Sequence, residues 1–319
     1  MTRMIHAAVA ALLTCATTSA AAQSVAGKKV LFINSYHPEY EWSAAVEAGA
    51  KGVLAGTGAK LQFHEMDTKR HGDDAFKIKA GAEAKKLIET AKPDVVIVTD
   101  DNAVSYVYAK YFKDSAIPFV FCGVNWDSSK YGPFKNATGM EEVALARELL
   151  ENLKGYAKGT RIGYLSADNE TERIDLPFLK KQAGRPFTVE KYVKTLAQWN
   201  EALGRMQGEV DFILIGNNAG IMDWNADEAM AFAAANARVP TGTVYDWMMP
   251  YAMLGIVKVA EEQGVFAAKA ALEILRGKKP TDIPIAQNKL GKTMLNVKLA
   301  SQAGITFKPA LLKNAQVLR

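Results

Sequence analysis

Pro93-Asp94-Val95-Val96-Ile97-Val98-Thr99-Asp100-Asp101-Asn102 is the stretch that decides the fold. Four consecutive branched apolar residues leave no polar face, so the segment reads as a strand covered on both sides, as in a parallel sheet. The proline and aspartate before it mark a turn, and the polar run after it opens a helical pattern over 103–112. The same unit recurs on either side. Upstream, Val30-Leu31-Phe32-Ile33 ends in Asn34-Ser35, a helical stretch covers about 42–54, 61–66 reads as a strand and 74–90 as a long helix. Downstream, Pro118 opens Phe119-Val120-Phe121-Cys122, a strand that Gly123 is expected to stop. Four such units in a row predict a parallel, three-layer sheet.

The pattern then restarts. A helix over 143–153 leads to a strand over 161–165, followed by helix 171–182, strand 188–193, helix 196–206, strand 211–215, helix 227–237 and strand 242–245. Between the halves a joint is expected near Asn136 to Gly139, where Pro-Phe-Lys-Asn-Ala-Thr-Gly at 133–139 has loop composition. Beyond them, 253–257 reads as a strand and 261–275 as an amphipathic helix ended by Gly277. Pro280 and Pro284 bracket an extended stretch, and 293–297 is a late strand. The expected class is α/β: two doubly wound parallel-sheet lobes with a ligand cleft between them.

The N-terminus sets the compartment. Arg3 is followed by an apolar stretch over 4–13, and Ala20-Ala21-Ala22 precedes Gln23. That order is the pattern of a secretory signal peptide, residues 1–22, cleaved near Ala22 to leave a periplasmic protein. The stretch is far short of the ~20 residues of a membrane span. Cys15 invites a lipoprotein reading, but Thr14 stands where a small residue is expected and the Ala-x-Ala pattern competes. After such a cleavage Cys122 is the single cysteine, so no internal disulfide forms, and nothing has the spacing of a zinc site. The net charge of +5 is spread over isolated lysine pairs, which speaks against a nucleic-acid partner.

In open α/β sheets, ligands sit beyond the carboxyl ends of the strands, where helix N-termini offer free N–H groups. The residues at those ends are therefore the candidates. In the first half they are Ser35 and Tyr36; Thr99, Asp100, Asp101 and Asn102; and Gly123, Asn125 and Trp126. In the second half they are Ser166 and Asp168; Asn217 and Asn218; and Tyr245, Asp246 and Trp247. Polar and aromatic strand ends on apolar strands are the profile of a small-molecule cleft. Each has a plainer reading as well. Asp, Asn, Ser and Thr at these junctions are ordinary helix caps, and the tryptophans serve equally as lobe packing. Lys69 and Arg70 suit a carboxylate or plain solvent. Trp126 and Trp247 would bring aromatic faces to one solute, Asp100, Asp101 and Asp246 would take an amino group, and Ser35 and Ser166 a carboxylate.

Enzyme readings find little support. No G-x-S-x-G elbow accompanies the few histidines, His64 and His71 lack metal-ligand spacing, and no P-loop or G-x-G-x-x-G is present. Neither catalytic residues, nor a metal, nor a cofactor is expected.

Several motifs together resemble a known family. They are Asn34-Ser35-Tyr36-His37-Pro38, Asn136-Ala137-Thr138-Gly139, Glu262-Gln263-Gly264, Leu275-Arg276-Gly277-Lys278-Lys279-Pro280-Thr281-Asp282-Ile283-Pro284 and Leu295-Asn296-Val297. The chain resembles ABC-transporter substrate-binding proteins, the family with tryptophan- and tyrosine-binding members. The resemblance implies a type I periplasmic-binding-protein fold with three crossings between lobes. Lobe 1 would comprise 28–137 plus 259–283, and lobe 2 138–258 plus 284–319. It also implies an inner-membrane ABC permease as partner and a monomeric binding protein whose lobes close on an aromatic amino acid or related aromatic acid. Two turns depart from the amino-acid-binding pattern: Thr99-Asp100-Asp101-Asn102 and Gly123-Val124-Asn125-Trp126. With Met66-Asp67-Thr68-Lys69-Arg70 they look more like the extracytoplasmic sensing domains that precede histidine kinases. A soluble sensory subunit presenting its ligand to a membrane receptor kinase is therefore the alternative.

Overall fold

The computed structural model describes residues 24–318. The expected signal peptide and Cys15 lie outside the described residues.

The first half runs β1 (Lys29–Asn34), α1 (Glu41–Leu54), β2 (Lys60–Glu65), α2 (Asp74–Ala91), β3 (Val95–Thr99), α3 (Asp100–Ala103) continued by π-helical turns over Val104–Phe112, β4 (Phe119–Asn125) and β5 (Ala137–Glu142). The second runs α4 (Ala146–Lys154), β6 (Ile162–Ala167), α5 (Glu170–Ala183), β7 (Val189–Val193), α6 (Leu196–Glu209), β8 (Phe212–Ile215), α7 (Ala226–Asn236), β9 (Thr241–Thr243) and β10 (Leu254–Lys258). Then come α8 (Ala260–Leu275), β11 (Ala286–Gln287), β12 (Gly291–Asn296) and β13 (Gln316–Leu318). Two sheets result, ordered β11-β5-β4-β3-β1-β2 and β13-β12-β10-β9-β8-β6-β7. All pairings are parallel except β10 with β12.

Each sheet is sandwiched, and the strands show why. In β1 and β3, Val30, Phe32, Val95 and Ile97 face α1 and α8, while Leu31, Ile33, Val96 and Val98 face α2 and the π-helical turns. In the second sheet Ile162, Tyr164, Phe212 and Leu214 join the α4 side, while Leu165, Ile213 and Ile215 join α6 and α7. A period of two with apolar residues on both faces is what a doubly covered sheet requires. Backbones of α1 and α8 touch at Gly264, where a Cβ would run into the Val46 carbonyl.

The chain passes between the sheets three times: from β5 to α4, from β10 to α8, and from β11 to β12. Two expectations need correcting. Residues 137–139 are not a loop but the start of β5, the outer long strand of the first sheet. Thr138 and Gly139 are buried there, and Gly139 is required because a Cβ would collide with Phe121. Small polar residues read as loop when neighbours are unseen; the close approach of β4 is what selects them. Nor does Gly123 stop β4: the strand continues to Asn125 through a bulge at Gly123, whose φ is +74°.

Candidate functional site

The carboxyl ends of both sheets converge on a set of buried acids and aromatics. At the first sheet, Asn34 is a buried hub: its Oδ1 accepts from the Tyr36 N–H and from Ser43 and Thr99 hydroxyls, and its Nδ2 donates to Glu47. Ser35 Oγ donates to the Thr99 carbonyl and accepts from the Ala103 N–H at 2.7 Å. Asn102 donates to Thr68 Oγ1, which itself donates to the Ser35 carbonyl. These groups are spent on shaping the strand ends. Tyr36 remains half-buried, with the Lys69 ammonium 4.9 Å from its ring. Burial, with Asp100, Glu142 and Asp101 nearby, pushes the Tyr36 phenol pKa up.

Asp100 is 4% exposed and sits in the left-handed region, φ +59°. A Cβ at Gly123 would lie 3.1 Å from its Oδ1, so the bulge glycine makes room for this carboxyl. Burial drives the Asp100 pKa well up, Glu142 and Asp101 add to the rise, and Thr99 and Lys69 oppose it. Asp101 behaves otherwise. Burial would raise it, but Lys130, Asn125 and Tyr131 all hydrogen-bond to its carboxylate and hold it below the usual range.

Glu142 closes β5 and pairs with Lys258 at the end of β10; the Lys258 ammonium also lies 5.1 Å from the Trp42 ring. Burial raises the Glu142 carboxyl against the pull of Lys258. Trp126, with φ +60° and 8% exposed, leaves the first sheet but packs into the core of the second lobe. Its ring stacks on Phe178 at 5.0 Å and 8°, and its indole N–H donates to Asp175 Oδ1 at 2.7 Å. Burial lifts Asp175 to about 6 despite that bond.

In the second lobe the hub is Glu172, 1% exposed. Its Oε2 accepts from Tyr164 and Ser166 hydroxyls at 2.7 and 2.6 Å, and its Oε1 from the Tyr245 hydroxyl at 2.9 Å. The Asn217 N–H also points to it. Asn125, Trp126, Glu142, Ala144, Asp175, Val244, Tyr245 and Lys258 enclose a cavity of about 30 Å³ between the lobes.

The candidates divide accordingly. Tyr36, Asp100, Asn125, Trp126 and Tyr245 come together with Glu142 and Asp175, and Gly123 backs Asp100. Asp101 is held nearby by Lys130. Ser35, Thr99, Asn102 and Ser166 are tied into the scaffold. Asp168 turns to Arg173 and Lys194. Asn217 Oδ1 accepts from the Ala219 N–H, and Asn218 lies half-buried in the same loop. Asp246 is exposed, and Trp247 leans on Tyr245 at 4.8 Å with 53% of its surface open.

Sequence reasoning missed Glu142, Lys258, Glu172 and Asp175. Glu142 was hidden because the loop expected at 136–139 takes up the start of β5, the strand that Glu142 ends. Glu172 and Asp175 lie inside the first turns of α5, three residues apart on one helix face, a spacing that a search limited to strand ends passes over. Among the described residues, no group of three metal-ligating side chains is present.

The family model for ABC transporter substrate binding proteins matches residues 46–318. A ligand-free, open substrate-binding protein with adhesive properties from Clostridium difficile is similar in structure, with a TM-score of 0.71 at 18% identity, covering 92% of this chain and 99% of that one. A Streptococcus pneumonia ABC domain in complex with L-Trp gives 0.58 at 20%, covering 92% and 100%. A periplasmic ribose ABC transporter protein from Conexibacter woesei gives 0.56 at 16%, covering 92% and 99%. No curated protein matches the sequence significantly.

Proposed function

Because this chain belongs to the family of ABC transporter substrate-binding proteins, we propose that it is the periplasmic, exported binding component of an importer, monomeric, and specific for an amino-bearing aromatic solute such as an aromatic amino acid. The family is one of solute-binding proteins, not enzymes. The observation that carries the finer reading is the lining of the space between the lobes. Glu142 and Asp175 line it, and Asp100 lies close enough to feel the Glu142 charge; all three have pKa values raised by burial, and Lys258 is paired with Glu142. A buried carboxyl stays ionised only when a cation joins it, so this lining favours an ammonium group. Tyr36, Trp126 and Tyr245 supply aromatic surface beside those acids, suited to a flat ring or to the ammonium itself.

Ligand contacts made to both lobes stabilise the closed arrangement, and a membrane permease reads closure as occupancy. A thermal-shift screen of amino acids, aromatic acids, amines, nucleosides, sugars and peptides tests the reading. A ligand that binds only the folded chain raises its melting temperature by mass action. An upshift with amino-bearing aromatics is expected; a shift by sugars alone would replace the ligand class, and none by any solute would remove the importer reading.

A further inference from the structure

A second and larger cavity lies at the joint between the lobes, outside the cleft. It measures about 390 Å³ and is lined on one side by Trp126, Asp127, Glu141 and Gln287, on the other by Arg147, Phe178, Lys181 and Gln182. That volume suits a small organic ligand. Its charges are unevenly satisfied. Glu141 Oε1 accepts from the Ser128 N–H and hydroxyl, each at 2.8 Å, and its Oε2 accepts from Gln287 at 3.0 Å. Asp127 accepts from the Ser129 N–H at 2.8 Å. The cations are less committed: together with the Ser129 hydrogen bonds, the Lys181 charge helps to hold the Asp127 carboxyl below its usual range without closing to an ion pair. Nearby Arg173 pairs with Asp168 and Lys180 with Glu190, but Arg147 and Lys181 enter no ion pair among the described residues. Gln182 Oε1 is taken by the Ala146 and Arg147 N–H groups at the start of α4, which directs its amide NH₂ elsewhere. Phe178, stacked on Trp126 and half-buried, gives the cavity an aromatic wall.

We propose that this joint cavity is a second ligand site, taking a small aromatic carboxylate whose anion lies between Arg147 and Lys181 and whose ring lies on Phe178. Arginine and lysine together recognise a carboxylate by charge and hydrogen bonding, and a ring face adds stacking. The site has a consequence for the cleft. Trp126 borders both cavities, and the walls come from both sides of the β5-to-α4 crossing. An occupant therefore binds one lobe angle better than another and shifts cleft affinity in proportion.

The experiment is calorimetric titration of the signal-free chain with benzoate and with inorganic phosphate. Benzoate is expected to bind with roughly millimolar or better Kd. Replacing both cations, Arg147→Gln with Lys181→Gln, should weaken it by about tenfold or more, the size of a lost charge-assisted bond. These side chains are exposed, so the variant keeps its fold, checked by an unchanged melting temperature. Phosphate, with no ring for Phe178, should bind more weakly. Asp100→Asn, which alters the cleft, should leave benzoate affinity as it was. No binding of benzoate, phosphate binding as tightly, or benzoate binding lost in Asp100→Asn but kept in the double variant would each overturn the proposal. Since the cleft variant is read separately, failure here leaves the cleft reading standing.

Discussion

Asp100 combines a left-handed backbone, near-complete burial and a neighbouring Glu142 that adds to its field. Burial holds its carboxyl pKa well above the ordinary range, so a proton is retained as pH rises past that range. An ammonium ligand favours the ionised form, hence binding releases a proton and affinity rises with pH. Asp175, lifted to about 6, acts in the same direction. Measured by calorimetry at pH 5 and 8, affinity for the amino-bearing ligand should be higher at pH 8, and Asp100→Asn should lose about 10- to 100-fold, as for a lost hydrogen bond to a charged group. Flat affinity across pH would show that neither acid contacts the ligand. Trp126 and Trp247 make a contrasting pair. Trp126→Ala removes a buried, stacked ring and should cost about 3–5 kcal/mol of stability in a denaturant titration, whereas Trp247→Ala, half exposed, should cost little.

Among elements, the packing of α1 against its neighbours makes two tests. Glu65 at the end of β2 lies beside Glu47 of α1, and burial together with that like charge raises Glu65 from 4.5 to about 7. One Glu65 oxygen has no hydrogen-bond partner among the described residues. The folded state thus holds the proton more tightly than the unfolded chain. This stability is fully present below pH 4.5 and is lost as pH rises through about 7. Glu65→Gln should then raise the melting temperature by roughly 2–5 °C at pH 8 and leave it unchanged at pH 4, read by calorimetric scans. An equal shift at both pH values would mean the carboxyl does not titrate there. On the opposite face, Gly264→Ala forces a methyl into the Val46 carbonyl, and the two helices must part. A loss of about 1–3 kcal/mol is expected on chemical denaturation. Nothing in the local pattern signals that contact, because a glycine within a helical pattern looks the same whether it meets water or another backbone.

At the scale of the whole molecule, the proposed function turns on closure of the lobes around the solute. Small-angle scattering of the chain from Gln23 onward should show a smaller radius of gyration with a saturating ligand than without it, and an unchanged radius would argue against closure. Much of this architecture was legible beforehand. Uninterrupted apolar runs such as 95–98 and 119–122, spaced by helical patterns, fix a covered parallel sheet, and their restart after 142 fixes a second. The polar strand ends likewise marked Tyr36, Asp100, Trp126 and Tyr245. What local pattern could not decide is partnership. Whether Ser35 and Ser166 are free or spent depends on Thr99 and Glu172, 64 and 6 residues away. Whether Trp126 clamps a solute or anchors the joint depends on Asp175 and Phe178 in the other lobe. Apolar periodicity records which face of an element is buried, and it is written along the chain. The pairing of one polar group with another is set by through-space distance and by burial, and only the folded arrangement of both lobes supplies those.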